Sequence, residues 1–312
     1  LNSSKLMNVI HVIDSLDLGG AQTLLKGYFE SEESGNCELF ALRQTQVQTR
    51  IQSSKVVICK SSSRFSFQPV FDLFNKIRKN QGKVILHAHL FRSLVTCTLL
   101  KWIFPKKTKL VFHEHSQISL GGRFYAFVLR ICNTAIDEIL TVSKSTKEDL
   151  LQIRVIRPEK VHVCYNFASD KKFNNDGKTA KRNAFRKTKG IENSTLVFGF
   201  VGRLNEEKGV RDLINAFSML DVENDAVLWL AGKGPLEKSL RLLAKSNIHQ
   251  KEKYEFFGYV EDVTSFYHGI DVLVMPSFNE GHPLTLIEAW MCEVPVIVSD
   301  IRSFVIVFDI TR

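Results

Sequence analysis

The chain lacks any C-x-x-C pair: Cys37, Cys59, Cys97, Cys132, Cys164 and Cys292 are scattered through 312 residues. That argues against a disulfide scaffold, a zinc ribbon or an iron–sulfur site, and fits a reducing cytoplasm. No apolar run reaches the ~18 residues of a spanning helix. Low-complexity tracts and short-period repeats are missing too. The opening Leu-Asn-Ser-Ser-Lys leads straight into a strand-like run, without the pattern of a secretory signal. Residue 1 is Leu and the first methionine is Met7, so residues 1–6 read as lying upstream of a natural start, or the chain as a fragment.

What is present is globular: 44% of residues are hydrophobic and 24% charged. The length suits two domains, each large enough to bury its own core. Charge is uneven. Residues 1–165 hold 23 basic and 13 acidic side chains, whereas residues 166–312 hold 19 and 20. A basic half beside a neutral one suggests an anionic surface, a nucleic acid or a charged substrate, or simply a lysine-rich domain.

Short β-branched or aromatic runs alternate with longer segments of helical period. Strands are expected at Val9–Ile13, Val84–His89, Lys109–His113, Glu138–Val142 and Val161–Tyr165, then at Leu196–Val201, Ala226–Ala231, Tyr254–Phe257, Asp271–Met275 and Val294–Val298. Most are continuously apolar, as strands covered on both faces of a parallel sheet should be. Helices are expected at Ala21–Glu30, Ser145–Gln152, Val210–Leu220, Leu236–Ser246 and Thr285–Cys292, among others. The alternation implies a doubly wound α/β architecture built twice: two Rossmann-like domains facing a cleft. The polar, highly charged stretch Asp170–Lys189 marks the boundary. It gives a first domain over 1–167, a linker with an entering helix over 168–194, and a second domain over 195–312.

The second half carries the more informative motifs. Gly202-Arg203-Leu204-Asn205-Glu206-Glu207-Lys208-Gly209 follows a buried strand and precedes a helix. In such folds ligands bind beyond the carboxyl ends of the strands. Arg203 and Lys208 in that turn suit a diphosphate, though a solvated basic turn would look the same. Gly232-Lys233-Gly234-Pro235 permits a tight turn and close backbone approach. The strongest feature is Glu280-Gly281-His282-Pro283-Leu284 followed by Glu288. Glu280 is expected just before a helix, Pro283 in its first turn and Glu288 about two turns inside. The free N–H groups after Gly281 would make an anion-binding helix end. A carboxylate on each side could accept hydrogen bonds from vicinal hydroxyls; the apolar neighbours of Glu288 speak against a merely solvated residue.

Taken in order, Gly202-Arg203 with Lys208-Gly209, then LAGKGP, FFGYVEDV and the two glutamates resemble the donor-binding half of the family-four retaining glycosyltransferases, the group 1 glycosyl transferases with the GT-B fold. The resemblance runs from about Val9 to Asp300. It implies that Arg203 and Lys208 neutralise a donor diphosphate and stabilise it as a leaving group. Glu280, with main-chain N–H groups after Gly281, would hold the donor sugar. Glu288 would bind the ribose, while Gly232, Gly234, Gly258 and Val260 would flank the base. In the first half, Asp17-Leu18-Gly19-Gly20-Ala21-Gln22 resembles the family's Gly-Gly-Ala-Glu loop near the diphosphate, with Gln22 where Glu is usual. His87-Ala88-His89 and His113-Glu114-His115-Ser116 resemble the acceptor-side strand ends, and His115 matches the histidine that contacts the donor sugar.

The same resemblance implies transfer of a hexose-type sugar, with retention and without a metal or other cofactor. A UDP- or GDP-linked donor would serve a polysaccharide, lipid-linked or other glycan acceptor, typically in bacterial surface polysaccharide or glycolipid synthesis. Nucleic acid is not an expected partner. Strand alternation puts His87 with His89, and His113 with His115, on one face. Four imidazoles could bind zinc or another transition ion. With no Asp nearby and Glu114 pointing the other way, the expectation is no metal and satisfied or substrate-facing histidines. Arg92–Lys109 joins an apolar segment with Trp102, Phe104 and lysines at 106, 107 and 109. That composition suits an interfacial helix on an anionic membrane, hence a cytoplasmic and peripheral location; a core helix followed by a basic loop reads equally well.

The rival readings are another GT-B enzyme, such as a nucleotide-sugar epimerase or a phosphorylase, and a non-catalytic or inactive nucleotide-sugar-binding fragment. The apolar ending Ile301–Arg312 is a poor match to the family's continuation. It predicts a second domain incomplete at its C-terminus, with aggregation-prone β-formers exposed if unpaired.

Overall fold

The computed structural model describes residues 7–17, 19–31, 34–45, 51–61, 63, 66–115, 122–153, 155–170, 172–220, 225–248 and 250–305. Residues 1–6, Leu18, Ser116, Lys171 and the tail from Ile306 to Arg312, all named above, lie outside these. The chain divides into two compact units, Leu1–Asn166 and Phe167–Arg312.

The first unit is a seven-stranded parallel sheet in the order β3-β2-β1-β4-β5-β6-β7. Its strands are β1 (Asn8–Ile13), β2 (Cys37–Ala41), β3 (Val56–Ile58), β4 (Val84–His89), β5 (Thr108–Glu114), β6 (Glu138–Thr141) and β7 (Val161–Val163). The helices are α1 (Gly20–Glu30), α2 (Gln68–Lys79), α3 (Leu90–Ile103), α4 (Gly122–Cys132) and α5 (Lys144–Leu151). One face of the central strands is apolar, with Val12, Leu86, Ala88, Leu110 and Phe112 fully buried, while His11, His87, His89 and His113 lie on the other. Strand order reverses between β1 and β4, which makes their carboxyl ends the topological switch point. β2 and β3 were not anticipated. β3 is a three-residue edge strand without a fully buried side chain, and so leaves little periodic signal.

The second unit holds α6 (Lys178–Thr188), β8 (Leu196–Val201), α7 (Val210–Ser218), β9 (Ala226–Ala231), α8 (Glu237–Asn247), β10 (Tyr254–Gly258), α9 (Val263–Gly269), β11 (Val272–Met275), α10 (Leu284–Met291) and β12 (Val296–Val298). Its parallel sheet runs β10-β9-β8-β11-β12, with the switch between β8 and β11. All six residues of β9 are buried, which is why its sequence shows no alternation. The doubly wound α/β architecture is therefore present twice, as two Rossmann-like sheets.

The charged stretch before β8 is integral to the second unit. Arg186 on α6 is fully buried. It donates to the carbonyls of Gly269 and Thr195, both at 2.9 Å, and pairs with Asp271 at 2.5 Å. Asp271 in turn accepts from the backbone N–H of Val197 at 2.7 Å. A linker-like composition thus conceals an ionic staple across the amino end of β8. At the other end of the unit, Phe304 is buried in the core, so the chain stays packed at least that far beyond Ile301.

Candidate active site

In the second unit, the loops after β8, β9, β10 and β11 pack against one another at the carboxyl edge of the sheet. Glycines allow this. Gly209 has φ +62° and Gly232 has φ +144°, both unfavourable for an L side chain. A Cβ on Gly209 would overlap the Pro276 carbonyl, and one on Gly232 the Gly202 carbonyl. The Gly232 N–H donates to the Gly258 carbonyl at 2.6 Å, and the Phe278 N–H to the Glu207 carbonyl at 2.9 Å. Gly234 closes against the Leu204 backbone.

This arrangement brings together two residues separated by 72 positions. Lys208 Nζ lies 2.6 Å from Glu280 Oε1, and the Ser277 hydroxyl donates to the same oxygen at 2.7 Å. Glu280 is 7% exposed and the Lys208 side chain 25%, so the lysine is the more accessible member of the pair. Arg203, on the same loop as Lys208, is exposed and forms no ion pair among the described residues. Nearby in sequence, the Oδ1 atoms of Asn205 and Asn279 are buried without a hydrogen-bond partner among the described residues. Unmatched acceptors of this kind are uncommon in native interiors and suit ligand-facing loops.

α10 begins at Leu284, one position before the Thr285 expected for it, and Pro283 stands outside its first turn. Pro283 is its N-cap, in extended conformation at ψ 127°, and Leu284 is the first helical residue. Glu288 therefore lies about one turn inside the helix rather than two. Its side chain is 6% exposed and accepts from the Tyr267 hydroxyl at 2.9 Å. Burial pushes the Glu288 carboxyl up, only partly opposed by the Tyr267 bond and by Lys172. Tyr267 is fully buried, and its phenol is pushed well up by burial and by Glu288. Tyr259 is half exposed; burial first, then the charges of Glu261 and Glu288, raise its phenol. Gly281 is buried, Val260 is partly buried, and burial lowers His282. Ser277 and Tyr267 carry no motif signal as functional candidates, whereas Tyr259 falls inside the Gly258–Val260 stretch that the resemblance sets beside the base.

In the first unit, Gly19 caps α1 directly after β1. A Cβ on Gly20 would meet open space, whereas one on Gly19 would press on Gln22 Oε1. Gln22 is buried and donates through Nε2 to the Ser15 carbonyl at 3.2 Å, a bond that a carboxylate in its place could not make. Asp14, at the end of β1, pairs with Arg92 at 2.9 Å and Arg43 at 3.0 Å.

The histidines form a larger group than expected, because His11 on β1 joins them. His11 is in register with His87, and His89 with His113. His11 Nδ1 lies 2.9 Å from His89 Nε2, and His89 Nδ1 lies 2.9 Å from His115 Nε2. Burial lowers all five; His11 and His113 fall to about 4. Glu114 points to the opposite face, where the Tyr125 hydroxyl donates to it. His11 was missed because it stands alone in its strand, and pairing with His87 depends on a register visible only in the fold.

Residues 181–309 match the family model of glycosyl transferases group 1, and residues 35–171 match that of glycosyltransferase family 4. Among curated proteins, an uncharacterized glycosyltransferase of Methanocaldococcus jannaschii is 31% identical over 53% of this chain and 42% of its own length. The N-acetyl-alpha-D-glucosaminyl L-malate synthase of Bacillus anthracis is 26% identical over 71% of this chain and 58% of its own. The chain thus spans about half the length of these relatives. Among solved structures, Anabaena Alr3699/HepE in complex with UDP-glucose aligns with a TM-score of 0.83 at 17% identity, covering 96% of this chain and 82% of that one. That likeness speaks for the fold.

Proposed function

Since the chain belongs to the glycosyltransferases that these two models describe, we propose that it moves a hexose-type sugar, with retention, from a UDP- or GDP-linked donor to an acceptor hydroxyl. The observation that carries the reading is the Lys208–Glu280 pair at the start of α10, with Glu288 one turn further on. Lys208 and Arg203 meet the diphosphate, and the free N–H groups at the start of α10 add to the positive field. As the bond from the sugar to the diphosphate breaks, negative charge grows on the leaving oxygens, and these fixed donors stabilise it. Glu280, aligned by Ser277, accepts from sugar hydroxyls. Glu288 accepts from the ribose hydroxyls, and exposed Tyr259 offers a ring face to the base. His115 contacts the sugar, as the resemblance implies. The acceptor attacks on the face from which the diphosphate departs and gives its proton to a leaving phosphate oxygen.

The acceptor is a lipid-linked or other surface glycan. Support comes from two relatives: an Escherichia coli UDP-Gal:alpha-D-GlcNAc-diphosphoundecaprenol galactosyltransferase, 27% identical, and a Campylobacter jejuni enzyme acting on a diphosphoundecaprenol glycan, also 27% identical. No helix among the described residues is long and apolar enough to cross a membrane. The first unit instead presents Trp102 and Ile103 on α3, and Phe124, Phe127 and Ile131 on α4, all exposed, with Arg123, Arg130, Lys106 and Lys109 exposed nearby in sequence. Aromatic and basic residues on helix faces suit docking on an anionic leaflet. The test is release of nucleoside diphosphate from UDP- and GDP-sugars in the presence of diphosphoundecaprenol glycans, with NMR of the product linkage. Retention with loss of turnover in Lys208→Ala supports the reading. An inverted product, or turnover unaffected by Lys208→Ala, contradicts it.

A further inference from the structure

The histidine cluster of the first unit has a feature that sugar contact by His115 does not explain. His113 is 4% exposed, and neither of its ring nitrogens has a hydrogen-bond partner among the described residues. A buried imidazole with both nitrogens unmatched is costly, since each would otherwise be hydrogen-bonded to water. His89 and His115 stand beside it with ring nitrogens 2.9 Å apart. One nitrogen each from His89, His113 and His115 lies within 4.8 Å of the others. Two imidazole nitrogens on one tetrahedral zinc stand about 3.3 Å apart, from bonds of about 2.0–2.1 Å. Small ring rotations therefore suffice to bring all three onto a single ion.

We propose that His89, His113 and His115 form a binding site for a divalent transition ion of the zinc class, with a fourth position open. An all-imidazole set suits zinc, cobalt, nickel or copper and excludes magnesium and calcium, which need oxygen ligands. Burial keeps the rings in the neutral form that ligates. His11 becomes the outer partner. With His89 Nδ1 on the metal, His89 Nε2–H donates to His11 Nδ1 across 2.9 Å, which fixes the tautomer and the ring plane. His11, His87 and His89 make a second compact trio. It shares only His89 with the first, and of its other two rings only His87 has an unmatched nitrogen, Nε2, whereas both nitrogens of His113 are unmatched, so His113 decides between them. The site shares His115 with the sugar contact proposed above, but it does not depend on Lys208, Glu280 or Glu288 in the second unit.

The test uses the full chain stripped with a chelator, titrated with zinc sulfate by calorimetry and with cobalt chloride by visible absorption, and analysed for metal after desalting. One equivalent is expected, with the intense absorption of tetrahedral cobalt. His113→Gln and His115→Gln should each weaken binding at least tenfold, and His11→Gln by about tenfold as an outer partner. Melting curves establish that each variant is folded, and two ligand variants keep the test usable if one is not. The proposal is overturned by absence of saturable zinc binding, by equal affinity for magnesium chloride, or by binding that survives His113→Gln and His115→Gln but vanishes in His87→Gln.

Discussion

Replacing Glu288 by Gln should stabilise the fold and weaken donor binding together. The side chain is 6% exposed, and its hydrogen-bond partner, Tyr267, is neutral. Burial raises its pKa in the folded state above the unfolded value. The stability linked to that shift is full at low pH and lost as pH rises through the raised pKa, so at neutral pH the fold carries a desolvated charge. Gln keeps the shape and still accepts from Tyr267, and it removes the charge. Substitutions that relieve such functional strain gain on the order of 1 kcal/mol, which for a unit of this size raises Tm by roughly 2–4 °C. The same change replaces two charge-assisted bonds to ribose with neutral ones, a loss of about 1 kcal/mol each. Donor affinity should therefore drop roughly 30-fold. Thermal melts from pH 5 to 8 and calorimetry with UDP and GDP measure both effects. The Tm advantage should shrink as the pH is lowered and Glu288 itself becomes neutral. A lower Tm with unchanged affinity would refute the assignment and leave Glu288 a structural residue.

Further outcomes follow from the same geometry. Arg186→Met leaves Asp271 without its closest cation and frees several carbonyls; a loss of about 3–5 kcal/mol is expected in urea unfolding, and a loss below 1 kcal/mol would contradict the staple. Gly209→Ala places a Cβ against the Pro276 carbonyl at φ +62°, so it should lower both stability and nucleotide affinity; wild-type affinity would show that the loop can yield. His11 and His113 have folded pKa values lowered to about 4, so the stability they contribute is present above the unfolded value and lost as pH falls from about 6.5 towards 4. Acid unfolding followed by circular dichroism should start near pH 6, with a milder slope in His113→Gln. Trp102→Ser with Phe124→Ser should reduce flotation with anionic vesicles at least severalfold, and unchanged flotation would remove the membrane reading.

The fold was legible where burial was symmetric. β8 and β9 stand at the residues their apolar runs predicted, because a strand covered on both faces writes its limits into composition, and β4 does so although it ends in His87-Ala88-His89. Edge strands such as β3 do not. Charge misled more than hydropathy: the stretch holding Arg186 looks like a linker because a buried guanidinium and a solvated one have the same letter. At the site, motif order placed Lys208, Glu280 and Glu288 within reach of one chemistry, but the 2.6 Å contact between Lys208 and Glu280 depends on a packed turn enforced by Gly209 and Pro276. The five-histidine group was only partly visible, since parallel register, not sequence spacing, brings His11 beside His87.

The central claim is that the loop edge of the second unit binds a nucleoside diphosphate through Lys208. Calorimetric titration of the chain and of Lys208→Ala with UDP and GDP tests it most directly. One of the two nucleotides should bind the chain at one equivalent, and Lys208→Ala should weaken that binding by at least tenfold while its melting curve still shows a folded protein. Equal affinity in the two proteins, or no binding of either nucleotide to the wild-type chain, would contradict the account.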